Sequence, residues 1–158
     1  MEIGIQIRYA AWLTALPEVK QVTLKAAEAA LAIEPHLQVR ELSIVLADDA
    51  MVRTLNNDYR GINKATNVLA FAYGCNEECA ALGDVIISLE RTAAEAKQDE
   101  RGLSDHLSHL VIHGVLHLLG YDHGKDDDAK AMEALETRAL AGIGIDDPYA
   151  PSRRGEVQ

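Results

Sequence analysis

The stretch 105–119 constrains this chain more than any other. It reads as the most apolar helix in the sequence, yet it carries two histidines, His113 and His117, four residues apart. On a helix, positions i and i+4 share a face and sit about 6 Å apart along the axis. Two imidazole nitrogens placed that way can converge on one ion at about 2.0–2.1 Å each. Gly120 follows three residues after His117, and glycine is the residue best able to end a helix in the left-handed conformation. The chain can then turn back and bring His123 to a third corner. Three of the six histidines thus fall within the eleven residues 113–123. A single histidine on an apolar helix is more often a hydrogen-bonded core residue than a ligand. A helical pair with a glycine-turned third is far harder to explain by packing. Three nitrogen ligands plus water define an open, catalytic zinc site, whereas a closed structural site fills all four positions with protein. No cysteine lies near these histidines in sequence to close it. The expectation is one zinc per chain on His113, His117 and His123; imidazole also suits copper, nickel and iron, less selectively.

Around this helix the pattern alternates between periods of two and of 3.6. Ile3, Ile5 and Ile7 alternate with Gly4 and Gln6 as a first strand. Pro17 and Glu18 then open a helix that runs to about Ile33, before Pro35. A second strand spans 39–47. Asp48 or Asp49 caps the next helix, which buries Val52, Leu55 and Tyr59 on one face and stops at Gly61. Two short apolar runs, 68–73 and 84–88, read as paired strands. A helix opens near Ser88 and runs to about Glu100, and a last one spans 128–141. The expected fold is α+β with α/β-like layers: a small mixed four-stranded sheet packed with about five helices. The metal site would sit on a helix of the C-terminal half and the turn after it. Residues 1–147 form one expected domain, and 148–158, with two prolines and few apolar residues, a mobile tail.

Composition narrows the function. At 158 residues, 48% hydrophobic and 25% charged, the chain can bury a core without staples. No apolar run approaches the ~20 residues that span a bilayer, and the N-terminus reads as a strand rather than a signal peptide. A cytoplasmic protein without membrane partners is expected. Fifteen Lys and Arg against 25 Asp and Glu give a net charge of −10. That argues against a surface built wholly to neutralise phosphates, while leaving room for a local basic cleft. Cys75 and Cys79 flank an acidic stretch and read as two thiols in a cytosolic loop; a disulfide or a metal contribution is the alternative.

The spacing H-x-x-x-H-x-x-G-x-x-H is also that of one class of zinc proteases, which carry their general base, Glu, directly after the first histidine. Here that residue is Gly114, which cannot accept a proton. Met132, the nearest candidate for the methionine turn of that class, sits in a helical pattern where core packing explains it. For a phosphodiester, bound metal can lower the pKa of water and polarise an oxygen, and the further need is positive charge against the developing anion. Arg60, at a helix end beside Gly61, can present a guanidinium fork to a phosphate. His109, one turn before His113, is a packing histidine, or else a substitute ligand, a proton shuttle or a support for the ligands. Asp122 orients a ligand or shapes the turn. His106 and His36 carry no assigned role.

The segment 113–123 closely resembles the signature of the YbeY family of bacterial metal-dependent endoribonucleases, factors of ribosomal RNA maturation. Leu55, Asn56, Tyr59, Arg60, Gly61 and Lys64, with the run 66–71, resemble a second family block. Residues 82–88 resemble a third, and His109 stands where the family often has histidine. The resemblance implies an endoribonuclease preferring single-stranded RNA, acting in small-subunit ribosomal RNA processing and ribosome quality control. Its partners would be ribosomal RNA and the small ribosomal subunit rather than DNA. It also implies zinc on His113, His117 and His123, with Arg60 and His113 as functional residues in the cleft. Asn67 departs from a more usual Asp, and Ala70 from a more usual Ser. Asn67 retains the capacity to accept a hydrogen bond. Two further classes stand beside this one: a non-catalytic zinc-binding ribosome assembly factor, which suits the acidic charge, and a zinc metalloprotease, which Gly114 opposes.

Overall fold

The computed structural model describes residues 2–37, 41–73, 81–122 and 124–149. In chain order the elements are β1 (Glu2–Ile7), α1 (Ala11–Ala15), α2 (Val19–Leu31), β2 (Glu41–Ala47), α3 (Asp49–Arg60), β3 (Val68–Ala72), β4 (Ala81–Ser88), α4 (Leu89–Gln98), α5 (Leu103–Leu118) and α6 (Asp126–Gly142). The fold is α+β, with the strands in one mixed sheet of order β1-β2-β4-β3. β1, β2 and β4 run parallel, and β3 closes one edge antiparallel to β4.

Strand side chains alternate between two apolar layers. Leu42, Ile44 and Leu46 of β2, with Val85 and Ile87 of β4, enter a large cluster with α2, α5 and α6. Val45 and Ala47 of β2, Ile86 of β4 and Leu69 of β3 point the other way, where Val52, Met51 and Leu55 of α3 cover them. Val45, which shares a strand face with Glu41 and Ser43, lies in this second core. The crossover from β2 to β4 therefore leaves α3 on the opposite face of the sheet from α5.

α5 is the central helix. It packs against α2, α4, α6, β3 and β4, which accounts for its near-continuous apolar sequence. It lies close against the sheet at Gly114, where even a Cβ would stand 2.7 Å from Val85 Cγ1 and 3.3 Å from Val68 Cγ2. At its end Gly120 takes φ +105°. Its N–H bonds His117 O, and Tyr121 N–H bonds Leu116 O, the paired 5→2 and 6→1 bonds that close a helix at a glycine. The expected glycine stop is therefore present, one residue beyond the helix cap.

The caps of α3 and α4 also follow the sequence. Asp48 Oδ1 accepts from Met51 N–H at 2.9 Å, and Ser88 Oγ accepts from Arg91 N–H. Gly61, at φ +69°, ends α3 directly after Arg60. The sixth helix, α1, has no sequence counterpart among the five expected. Five residues complete little more than one turn, too few for a 3.6 period, and its N-cap makes no side-chain bond. Tertiary contacts hold it: Trp12 is fully buried and its Nε1–H donates to Ala47 O at 2.9 Å. Residues 39 and 40, assigned to the second strand, and Cys75 and Cys79 lie outside the described residues. Tyr149, in the segment expected to form the mobile tail, makes two hydrogen bonds: its N–H donates to Asp147 and its hydroxyl to Glu136. Among the described residues no helix is long and apolar enough to cross a membrane.

Candidate metal centre

His113, with His109 one turn before it, sits where the central helix meets α6. His113 and His117 are half-buried, their ring centroids 4.9 Å apart and their planes at 77°. That is the shared face predicted from four-residue spacing. The third predicted ligand, His123, lies outside the described residues. Among the described residues no three His, Cys, Asp or Glu side chains gather as a ligand set.

The residue that organises this face is one the sequence reading passed over. Glu136 of α6 is only 1% exposed. One carboxylate oxygen, Oε2, accepts from His113 Nδ1 at 2.8 Å. The other, Oε1, accepts from His109 Nε2 at 2.6 Å and from the Tyr149 hydroxyl. Burial pushes the Glu136 carboxyl up, but the bonds from His109, His113 and Tyr149 outweigh it and hold it down at about 2. The phenol of Tyr149 is pushed up by burial and by that same carboxylate. A proton on His113 Nδ1 leaves the lone pair on Nε2, the form in which a histidine ligates through its far nitrogen. The donor set of His113 and His117 thus fits a nitrogen-preferring ion such as zinc. His109, bonded through Nε2 to Glu136 and packed edge-on against Tyr149 at 5.5 Å, behaves as the hydrogen-bonded packing histidine. Met132 is buried in α6, as core packing required. A signal for Glu136 was present: Met132, Glu136, Ala139 and Leu140 share one helical face, all buried, and an acid in such a stripe needs partners.

A second, partly buried polar chain adjoins the first. Asn67 Nδ2 donates to both oxygens of Glu95, at 3.1 and 3.3 Å, while its Oδ1 accepts from Val68 N–H at 2.7 Å. Glu95 Oε1 also contacts His106 Nε2 at 2.8 Å. Asn67 therefore does accept a hydrogen bond, and it gives one as well. An Asp there would set a second carboxylate against Glu95. His106, left without a role by sequence, is a buried partner of Glu95. Burial lowers its pKa; Glu95 acts in the opposite sense, and the charges of His109 and Arg101 lower it further. The folded protein thus holds His106 neutral where the unfolded chain would protonate it. Between that lowered value and about 6.5, unfolding takes up a proton and stability falls with pH. Denaturant midpoints of apoprotein between pH 8 and pH 5 should fall less in His106→Gln than in wild type.

Arg60 belongs to α3, whose layer covers the face of the sheet opposite α5. Its guanidinium lies 5.7 Å from the centre of the Phe71 ring, and Phe71 packs with the α3 side of the sheet. Tyr59, 70% exposed, meets the same ring at 5.2 Å. Arg53 bonds Asn63 through Nε at 2.7 Å. The segment 53–64 carries three cations, Arg53, Arg60 and Lys64, against the single acid Asp58, in a chain of net charge −10. His36 is exposed.

A mixed sheet crossed by a central helix with paired histidines defines an α+β protein with a candidate metal centre, and the comparisons with known proteins narrow that class. The chain belongs to the Endoribonuclease YbeY family, whose sequence model matches residues 7–144. It is similar to the protein named Endoribonuclease YbeY from Paramagnetospirillum magneticum, 50% identical over 157 residues, covering 94% of this chain and 96% of that protein. The Azorhizobium caulinodans protein of the same name is 44% identical, covering 98% of this chain and all of that one. The solution structure of TM1509 from Thermotoga maritima shares the fold, with a TM-score of 0.60 over 90% of this chain and 89% of that one, at 22% identity.

Proposed function

We propose that this chain is a zinc-dependent endoribonuclease that cuts single-stranded RNA in the cytoplasm, in small-subunit ribosomal RNA processing and ribosome quality control. The observation that carries the reading is the His113–His117 pair, with the Nδ1 of His113 already committed to Glu136. It stands beside relatives named Endoribonuclease YbeY along nearly the whole chain. His113, His117 and His123 would hold one zinc. Bound there, zinc supplies Lewis acidity and a water of lowered pKa.

The chain's own groups supply binding. Tyr59, Phe71 and Arg60 give an exposed aromatic and cationic surface at the β3 edge, the combination on which unpaired bases stack and phosphates pair. A duplex buries its bases and gains little from such a surface, which supports a single-strand preference. Arg60 would act on the RNA rather than on the metal ligands. Arg60→Ala is therefore expected to reduce cleavage of a single-stranded RNA about 10- to 100-fold, on the scale of one lost charge-assisted contact to phosphate. Zinc content should stay at the wild-type level. Loss of zinc in Arg60→Ala, or undiminished cleavage, would remove Arg60 from the RNA surface. Zinc binding by the wild type without RNA cleavage would favour the non-catalytic assembly factor.

A further inference from the structure

We propose that Glu136 is a positioning residue of the histidine centre, one buried carboxylate that fixes the tautomer and ring plane of His113 for metal binding. The metal part of this inference rests on the zinc reading above; the tautomer part rests on the hydrogen bonds alone.

Three donors from two directions converge on this carboxylate. α5 supplies His113 Nδ1 at 2.8 Å and His109 Nε2 at 2.6 Å, and the chain after α6 supplies the Tyr149 hydroxyl. The two histidines are held by opposite nitrogens. His113 is held at Nδ1, next to the ring's attachment point, which directs Nε2 away from Glu136. His109 is held at Nε2, which turns its ring inward; its Nδ1 is buried without a hydrogen-bond partner among the described residues. The same carboxylate thus presents one histidine for ligation and withdraws the other. A neutral Nδ1–H bonded to a carboxylate also makes Nε2 a stronger donor to a metal.

Tyr149 completes the arrangement. Its ring packs against His109, and its hydroxyl is 3.2 Å from His109 Nε2. Asp147 accepts from Tyr149 N–H at 2.8 Å and from Thr137 Oγ1 at 3.2 Å. The segment after α6 is thereby pinned to the helix at Thr137, the residue next to Glu136. Tyr149, the donor from outside α5, shares Oε1 with His109 and so helps fix the carboxylate plane against which His113 is held.

The test uses the full-length protein as Glu136→Gln and Tyr149→Phe. Nitrogen-15 NMR of the metal-free protein reads the histidine tautomers directly. The wild type should show His113 with its proton on Nδ1, and Glu136→Gln should lose that signature. Zinc affinity, read by competition with a chromophoric chelator, should fall about 10- to 100-fold in Glu136→Gln. Tyr149→Phe, which leaves the carboxylate in place, should fall by less. A folded Glu136→Gln protein with the wild-type His113 tautomer and wild-type zinc affinity would overturn the proposal. If Glu136→Gln does not fold, Glu136→Asp applies the same test, since it keeps the charge but withdraws the oxygens by one methylene. Should the wild type bind no zinc at all, the zinc reading fails, and the tautomer of metal-free His113 still decides the role of Glu136.

Discussion

Replacing His117 by alanine is expected to remove bound zinc and to lower RNA cleavage by at least about a hundredfold, the scale of losing one major electrostatic stabiliser. His117 is the cleaner choice of the two described candidate ligands. His113 is a donor to Glu136, so its removal would also leave a buried carboxylate short of a partner and unsettle the interior. His117 is half-buried at the last turn of α5, where alanine is the best helix former. The variant should therefore melt within a few degrees of metal-free wild type while binding no zinc in a chelator competition. Cleavage by His117→Ala at the wild-type rate, in a preparation free of contaminating nuclease, would dismiss the histidine face as the reaction centre.

Gly114→Glu is expected to destabilise the protein strongly and to confer no peptidase activity. The substitution supplies the base that zinc proteases carry at this position, yet the position faces the wrong way. Its Cβ would stand 2.7 Å from Val85 Cγ1 and 3.2 Å from Val85 Cγ2. Val85 is fully buried, paired to β2 on one side and β3 on the other, and its branched side chain has little rotamer freedom. Overpacking alone costs about 1–3 kcal/mol, and a carboxylate forced into the apolar layer adds to it unless it takes up a proton. At about 2–4 °C per kcal/mol for a protein of this size, the melting temperature should drop by roughly 5–10 °C or more. Gly114→Ala separates steric cost from charge: the gain of about 1 kcal/mol in helix propensity opposes the clash, so its loss should be smaller. A Gly114→Glu protein as stable as wild type would contradict the close packing of α5 on β4.

The sequence carried the parts of this centre that depend on local periodicity. The four-residue spacing placed His113 and His117 on one face, Gly120 announced the helix stop, and Asp48, Ser88 and Gly61 marked the ends of α3 and α4. The burial of Glu136 had a signal in the apolar stripe of α6, but its partners did not, because two of them lie 23 and 27 residues away. The same holds for His106 and Asn67, which meet only through Glu95. α1 escaped notice because its one turn is stabilised by Trp12 reaching Ala47, 35 residues away. Arg60 was correctly placed at a helix end, but its layer was set by the strand order β1-β2-β4-β3. No local pattern encodes that order, so the placing of α3 with Arg60 and α5 with its histidines on opposite faces of the sheet emerged only from the fold.

The measurement that tests the central claim most directly follows zinc and RNA cleavage together in one preparation of the wild-type protein. Elemental analysis should find about one zinc per chain. Removing it with a chelator should stop cleavage of a single-stranded RNA, and adding back one equivalent of zinc should restore it. Cleavage that survives complete removal of metal, or a chain that takes up no zinc, would contradict a zinc-dependent nuclease centred on His113, His117 and His123.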